Sequence, residues 1–230
     1  MNSYDILVVG GGHAGCEAAL AAARMGKKTL LITMSKESIA RMSCNPAIGG
    51  LAKGHLVREI DAMGGEMGKI TDQTGIQFRM LNRSKGPAVW GPRAQSDKAA
   101  YSVAMRGVIE KQDRLDVYEG LAEELLMEGQ HLRGLRTKSG EQFLAKAIIL
   151  TTGTFLRGIM HTGNDTAAGG RFGEKAAEGL SGNLIAMGLE LGRLKTGTPP
   201  RLLKESIDFS KTEPQHGDDE PFFFSFESSQ

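Results

Sequence analysis

The sequence predicts an α/β fold that opens on a Rossmann-like strand–helix–strand unit and continues into a small β-meander. Three observations predict it. A short apolar run, Asp5–Val9, ends in Gly10-x-Gly12-x-x-Gly15 and leads at once into an alanine-rich stretch. A second apolar run, Thr29–Thr33, follows a helix stop at Gly26. Further on, short strand-like segments separated by turn residues lead into the apolar run Ala147–Leu150, which ends in Thr-Thr-Gly-Thr154.

In the first segment each glycine has a separate physical task. Gly10 permits a tight turn, Gly12 lets the backbone approach a pyrophosphate, and Gly15 lets helix and strand pack closely. The helix start then presents N–H groups and the positive end of its dipole to phosphates. Gly11, His13 and Ala14 complete the candidate cofactor turn, His13 through its backbone rather than as an acid or base. The acid that commonly holds a ribose about 20 residues later is missing. Thr33-Met34-Ser35 stand there, and the first acid is Glu37. Either Glu37 reaches back, or hydroxyls and backbone hold the ribose, or the contact lies elsewhere.

Residues 35–95 read as glycine-rich and irregular, with one helix near Ala52–Met63. A second helix is expected over Ser96–Lys111, where Ala100, Val103, Ala104, Gly107 and Val108 recur at helical spacing. Strands are expected at Leu115–Glu119, Glu123–Met127, Leu132–Thr137 and Gln142–Ala145. Gly129-Gln130 and Lys138-Ser-Gly140 turn between them, as in a meander. The stretch Glu213–Gln230 holds five acids, no bases and the cluster Phe222-Phe-Phe224. Such a stretch reads as a core segment whose partner strands lie elsewhere. The expected organisation is therefore a domain over 1–200 and the start of a second domain or insertion over 201–230.

Composition narrows the classes. With 28 basic and 27 acidic residues, no global field steers the protein toward nucleic acid, so any such binding must be local. Two cysteines, Cys16 and Cys44, make no disulfide framework and suit a reduced, cytoplasmic setting. No apolar run reaches membrane-spanning length, so no membrane partner is expected. No metal-ligand spacing is present, and no metal is expected. His55, His131, His161 and His216 carry no distinguishing context.

The order of elements is similar to that of FAD-binding domains of the glutathione-reductase type, here incomplete at the C-terminus. In such domains a backbone group at the start of the meander, here near Ala122, meets the adenine, and the strand ending in Thr-Gly passes near the cofactor. Three motifs narrow the resemblance: Arg41-Met-Ser-Cys-Asn-Pro-Ala-Ile-Gly-Gly50, Asn82-Arg-Ser-Lys-Gly-Pro-Ala-Val-Trp90 with Arg93-Ala-Gln95, and Gly192-Arg-Leu-Lys-Thr-Gly-Thr-Pro-Pro-Arg201. With the glycine turn, they closely resemble the glucose-inhibited division protein A family over residues 1–226. The resemblance implies carboxymethylaminomethyl addition at C5 of the tRNA wobble uridine, using FAD, NADH and methylenetetrahydrofolate. It also implies a homodimer that joins a GTPase subunit in a heterotetramer on tRNA. Family members are far longer than 230 residues, so the chain is expected to be a truncated form, inactive alone. Two alternatives stand beside this reading. One is a folate- and FAD-dependent tRNA uracil-C5 methyltransferase, which lacks a matching Ser-Cys-Asn-Pro-Ala-Ile-Gly-Gly run. The other is a non-catalytic FAD- or tRNA-binding fragment.

Cys44 is the candidate catalytic residue. C5 of uracil is a weak nucleophile, and a thiolate adding to C6 makes it reactive. The cysteine sits in a Gly/Pro loop ahead of the Ala52 helix, and by resemblance it is required, as nucleophile or as thiol shuttle. Cys16 reads instead as packing. The position matching Ala177 is an FAD contact in related sequences, and a methyl side chain leaves that contact to the backbone. Between Gln77 and Val108 there are six basic residues against the single acid Asp97. Arg83, Lys85 and Arg93, beside Trp90, are the candidates for tRNA phosphates and base stacking. A solvated basic face is the alternative. Gly169–Arg171 and Lys195–Arg201 either border the flavin or substrate or are plain turns.

Overall fold

The computed structural model describes residues 2–43, 45–174, 176–197 and 199–228, the side chain of Asn2 excepted. Along the chain run β1 (Asn2–Val9), α1 (His13–Arg24), β2 (Thr29–Thr33), β3 (Ala47–Gly49), α2 (Lys53–Ala62) and α3 (Met67–Thr74). They are followed by β4 (Gly75–Leu81), β5 (Gly91–Ser96), α4 (Lys98–Lys111), β6 (Leu115–Glu119), β7 (Ala122–Glu128) and β8 (His131–Thr137). The last elements are β9 (Gln142–Leu150), β10 (Ile159–Thr162), β11 (Asp165–Ala168) and α5 (Gly179–Ala186). Two compact units divide them: residues 1–41 with 102–193, and residues 42–101 with 194–230.

The first unit is built on a six-stranded sheet in the order β6-β2-β1-β9-β8-β7. β6, β2, β1 and β9 run parallel, with Leu7 facing Leu30 and Ile148 in register. β7, β8 and β9 form the antiparallel meander. Continuous apolar sequence suits strands covered on both faces, and all of β2 is buried. α1 turns Cys16, Ala19, Leu20 and Ala23 inward. These mostly small side chains let the helix approach the sheet closely. Phe143 stacks edge-on with Tyr4 and Tyr118, and the same core holds Leu125, Leu135 and Leu180. Each fully buried aliphatic side chain contributes about 1.5–3 kcal/mol.

Two expectations change here. Leu115–Glu119 does not open the meander. It pairs with β2 in parallel, from Thr29–Leu115 to Thr33–Glu119, as the third strand of the Rossmann half. The segments around Gln142 and Ala147 are also one strand, β9, which serves the meander with its start and β1 with its whole length. A single strand can do both because its two edges are independent ladders.

The second unit contains a three-stranded antiparallel sheet, β3-β5-β4, with α2 and α3. Of these elements the sequence showed only α2. Alternation is clear once the register is known: Phe78, Met80, Ala94 and Ile48 share one face, and Gln77, Arg79, Arg93 and Gln95 the other. The Asp97 carboxylate caps α4 by accepting the N–H groups of Ala99 and Ala100, both at 2.9 Å.

The phenylalanine segment finds its partners inside this unit, contrary to expectation. Phe224 is fully buried. Asp72 on α3 accepts the N–H of Phe224 and of Ser225 at 2.8 Å each, and the Ser228 hydroxyl at 2.7 Å. Asp61 on α2 accepts the Phe226 N–H at 2.9 Å. Arg58 lies over the rings of Phe222 and Phe226 and donates to the Phe223 carbonyl. Helix carboxylates thus take the place of strand neighbours in satisfying the segment's backbone. The expected division at residue 200 does not coincide with a unit limit, since residues 201–230 group with 42–101.

Candidate functional site

The β1–α1 turn is built by contacts that leave no freedom at two positions. Gly10 has φ +110°, and its N–H donates to the Ile32 carbonyl at 2.8 Å. A Cβ on Gly15 would stand 1.8 Å from the Gly10 carbonyl oxygen and 2.8 Å from Thr151 Oγ1. Thr151, just past β9, closes the turn from below. Its N–H donates to Val9, and its hydroxyl lies within reach of the Val9 and Gly10 carbonyls at 2.9 and 3.1 Å. Gly11 packs on Thr33 and Ile39, where a Cβ would meet Thr33 Oγ1 at 2.8 Å.

Gly12 is different. It is exposed at the N-cap of α1, and a Cβ there would meet nothing within 4 Å. Internal packing therefore gives no reason for glycine at this position. A diphosphate seated on the helix start gives one. No side chain caps α1, and its first turn holds no acid, so the positive end of its dipole is not neutralised locally. His13 and Ala14 follow in that first turn. The His13 ring is half-buried, and burial lowers its pKa below the usual 6.5.

The carboxyl ends of β1, β2 and β6 gather the other candidates of this unit. Thr33, at the end of β2, is buried and donates its hydroxyl to the Ser35 carbonyl at 3.2 Å. Glu37 accepts the Ser35 hydroxyl at 2.9 Å, and its pKa is lowered by its own backbone N–H and then by that hydroxyl. Glu119 was missed in the sequence. It ends β6, and its carboxylate accepts the Lys36 N–H at 2.8 Å, which puts a second acid beside the end of β2. Parallel pairing of β2 with β6 is the signal that finds it.

Gly120 N–H donates to the Thr33 carbonyl at 2.8 Å, so the chain entering β7 passes this same edge. Ala122 is buried there, opposite Thr137, where a bulge interrupts the ladder. Ala177 is also buried, but its backbone is engaged: its N–H donates to Phe155 at 2.9 Å and its carbonyl accepts from Arg157 at 2.7 Å. A contact from Ala177 then falls to its methyl group rather than to its backbone. Arg171 closes a small turn onto Glu174 at 2.9 Å. Cys16 is fully buried, with its thiol 3.6 Å from the Gly11 carbonyl, and burial pushes its pKa up to about 12.

Cys44 lies outside the described residues, as does Thr198 in the 195–201 motif. Near Cys44, the Pro46 carbonyl accepts the Ser96 N–H at 2.7 Å, which ties the motif to the end of β5. The basic candidates are all in the second unit and differ in availability. Arg83 is held by Asp218 at 3.0 Å. Lys85 is exposed, while Arg93 is half-buried on β5 opposite Arg79. Trp90 is fixed by its indole N–H, which donates to the Arg83 carbonyl at 3.2 Å. Among the described residues no cluster of three metal-ligating side chains occurs, and no helix is long and apolar enough to cross a membrane.

The chain is similar to known proteins over nearly its whole length. A "tRNA uridine 5-carboxymethylaminomethyl modification enzyme MnmG" of Protochlamydia amoebophila is 60% identical over 215 residues, covering 94% of this chain and 34% of the relative. The protein of the same description from Pelobacter propionicus is 57% identical over 227 residues, covering 99% and 36%. The crystal structure of Aquifex aeolicus GidA superposes with a TM-score of 0.94 at 51% identity, covering 99% of this chain and 38% of that one. The chain thus spans about a third of the length of the curated relatives it matches. Residues 5–230 match the family described as Glucose inhibited division protein A, and the chain belongs to that family.

Proposed function

We propose that this chain carries the flavin-holding part of an FAD-dependent enzyme that modifies the wobble uridine of tRNA at C5. The observation that supports it most directly is Gly12, a glycine without an internal packing reason at an uncapped helix start. A dinucleotide's pyrophosphate fits that place by shape and by charge. The relatives named as tRNA uridine modification enzymes support the substrate class.

In this reading Gly10–Gly15 hold the pyrophosphate, Ala122 lies against the adenine, and Ala177 contributes a van der Waals contact. Glu37 and Glu119 are the acids available to the ribose hydroxyls. A bound flavin would supply redox chemistry, with NADH as its reductant. The Cys44 thiolate adds to C6 of uracil, forming an S–C6 bond and moving the C5–C6 electron pair toward C5. C5 would then attack the methylene carbon of methylenetetrahydrofolate, breaking that carbon's bond to a folate nitrogen, and loss of the C5 proton would re-form the C5–C6 double bond and expel the thiolate. A role of Cys44 as thiol shuttle is the second reading. NADH and methylenetetrahydrofolate as co-reactants, the homodimer, the GTPase subunit completing a heterotetramer and a cytoplasmic setting belong to this proposal for the longer relatives.

Flavin titration of the purified chain tests it. Stoichiometric binding, lost in Gly12→Val with an unchanged melting temperature, supports the reading. A wild-type chain that folds and binds no flavin overturns it.

A further inference from the structure

Across the β4–β5 pair, Arg79 stands directly opposite Arg93, and Gln77 directly opposite Gln95. Residues directly opposite in an antiparallel pair project to the same face. Like charges so placed repel and weaken the sheet, and a fold does not gain by that arrangement unless something else uses it. Both arginines are half-buried. Neither has an ion pair or hydrogen bond among the described residues, whereas Arg58 and Arg83 of the same unit have carbonyl or carboxylate partners. On the neighbouring strand, the residues in register are Ala47 beside Gln95 and Gly49 beside Arg93, so no further charged side chain borders the strip on that side.

We propose that Arg79 and Arg93 form one oxyanion site, and that its occupant is a nucleotide phosphate of the RNA substrate with the base lying toward Gln77 and Gln95. The proposal rests on the RNA-modification reading and adds to it a residue pair and an orientation. Two guanidinium forks carried by directly paired residues of adjacent strands have the donor number and planar geometry to bind the oxygens of a single phosphate. The Gln pair lies two residues along, about 7 Å at the rise of a strand. That is of the order of the reach from a pyrimidine edge to its own phosphate, and far shorter than the reach from a pterin ring to the glutamate carboxylates of a folate. Gln77 donates its amide N–H to the Gln215 carbonyl at 2.8 Å, which fixes the side chain and leaves its amide oxygen as an acceptor. A uracil ring offers the imide N–H for such an acceptor.

The experiment uses the 230-residue chain with an anticodon stem–loop RNA, uridine monophosphate, inorganic phosphate and methylenetetrahydrofolate as separate probes. Arg79→Gln and Arg93→Gln are each expected to weaken RNA binding about tenfold. The double variant is expected to lose little more than either, because both side chains serve one anion. The slope of log affinity against log salt should fall by about one phosphate contact in the double variant. Arg93→Lys should keep the slope and still lose affinity, since the fork is gone. The free chain should melt at an equal or higher temperature once either charge is removed. Additive losses with a slope change of two contacts would show two independent surface charges and overturn the shared site. A lower melting temperature in the free variants would mark the pair as structural and also overturn it. Competition by the folate but not by uridine monophosphate would reassign the occupant. Flavin retained by a wild-type chain that binds neither RNA nor phosphate would sink this site while leaving the flavin reading intact.

Discussion

Gly15 approaches Gly10 so closely that a Cβ on the former would lie 1.8 Å from the carbonyl oxygen of the latter. Gly12, three residues earlier, has only open space where a Cβ would stand. The same fingerprint therefore contains glycines of two kinds. Gly15→Ala is expected to destabilise the first unit by about 3 kcal/mol through overpacking. Gly12→Val should leave the melting temperature unchanged and remove flavin binding. Paired thermal melts and flavin absorbance spectra distinguish them, and equal destabilisation by both would contradict the division.

The clamp on the phenylalanine segment makes a second prediction. Asp72 accepts three donors from residues 224–228. Asp72→Ala removes all of these bonds and is expected to cost about 3 kcal/mol. Asp72→Asn retains one acceptor oxygen and should lose less. Denaturant unfolding, with proteolysis mapped to residues 222–228, reads the difference. An Asp72→Ala chain as stable and as protected as wild type would show the clamp to be idle.

Cysteine reactivity should separate cleanly. Cys16 is buried, with its pKa raised to about 12, so its thiolate is scarce at pH 8. Alkylation of the native chain at that pH is expected to label Cys44 and spare Cys16 until the chain is unfolded. Peptide mass mapping checks it, and early labelling of Cys16 would refute the packing role.

In the second unit, Asp218 holds Arg83 and also accepts the Met80 N–H at 2.7 Å. Lys85→Gln is therefore expected to weaken RNA binding more than Arg83→Gln. Asp218→Asn should strengthen it by releasing a cation and removing a negative charge. Filter binding at two salt concentrations is sufficient. An RNA affinity that falls in Asp218→Asn, with the fold intact, would argue that the pair itself presents Arg83 to the ligand.

His13 sets an acid sensitivity. Its folded pKa lies below 6.5 because of burial, while the unfolded chain takes up a proton near 6.5. Below that value the unfolded state binds more protons, so stability falls as pH drops through 6.5 and is regained above it. His13→Gln should flatten the melting temperature between pH 7.5 and 5.5. An unchanged slope would assign the sensitivity to other groups.

The legible part of the fold was the part whose signals are local. β1, α1 and β2 declare themselves by an apolar run, three spaced glycines and a stop at Gly26. The β3-β5-β4 sheet was hidden because β5 reads Gly-Pro-Arg-Ala-Gln-Ser, a poor strand by composition, and is held by a partner that no short window contains. α3 was hidden in the same way: Gly68 lies in its first turn, and it packs on Asp61 of α2. Leu115–Glu119 was found as a strand yet given the wrong neighbour, since parallel pairing is a long-range choice. At the site, the glycines were read correctly as a turn, but only coordinates separated Gly12 from Gly10 and Gly15. Glu119 had no signal near the place where it acts. The phenylalanine segment looked unpartnered because its partners are helix carboxylates 152 and 165 residues earlier.

Those long separations set the order in which the protein can assemble. Asp61, Asp72 and Gly49 are translated well before Phe224, whose ring would clash at 2.6 Å with any Cβ on Gly49. Residues 102–193, which form most of the first unit, are made in between. The β3-β5-β4 sheet is therefore made, with α2 and α3 packed on it, before the phenylalanine segment that completes its cover emerges. Closing so long a loop is slow and exposes the nascent chain to misassociation, so the docking of residues 222–228 is a step vulnerable to chaperone shortage.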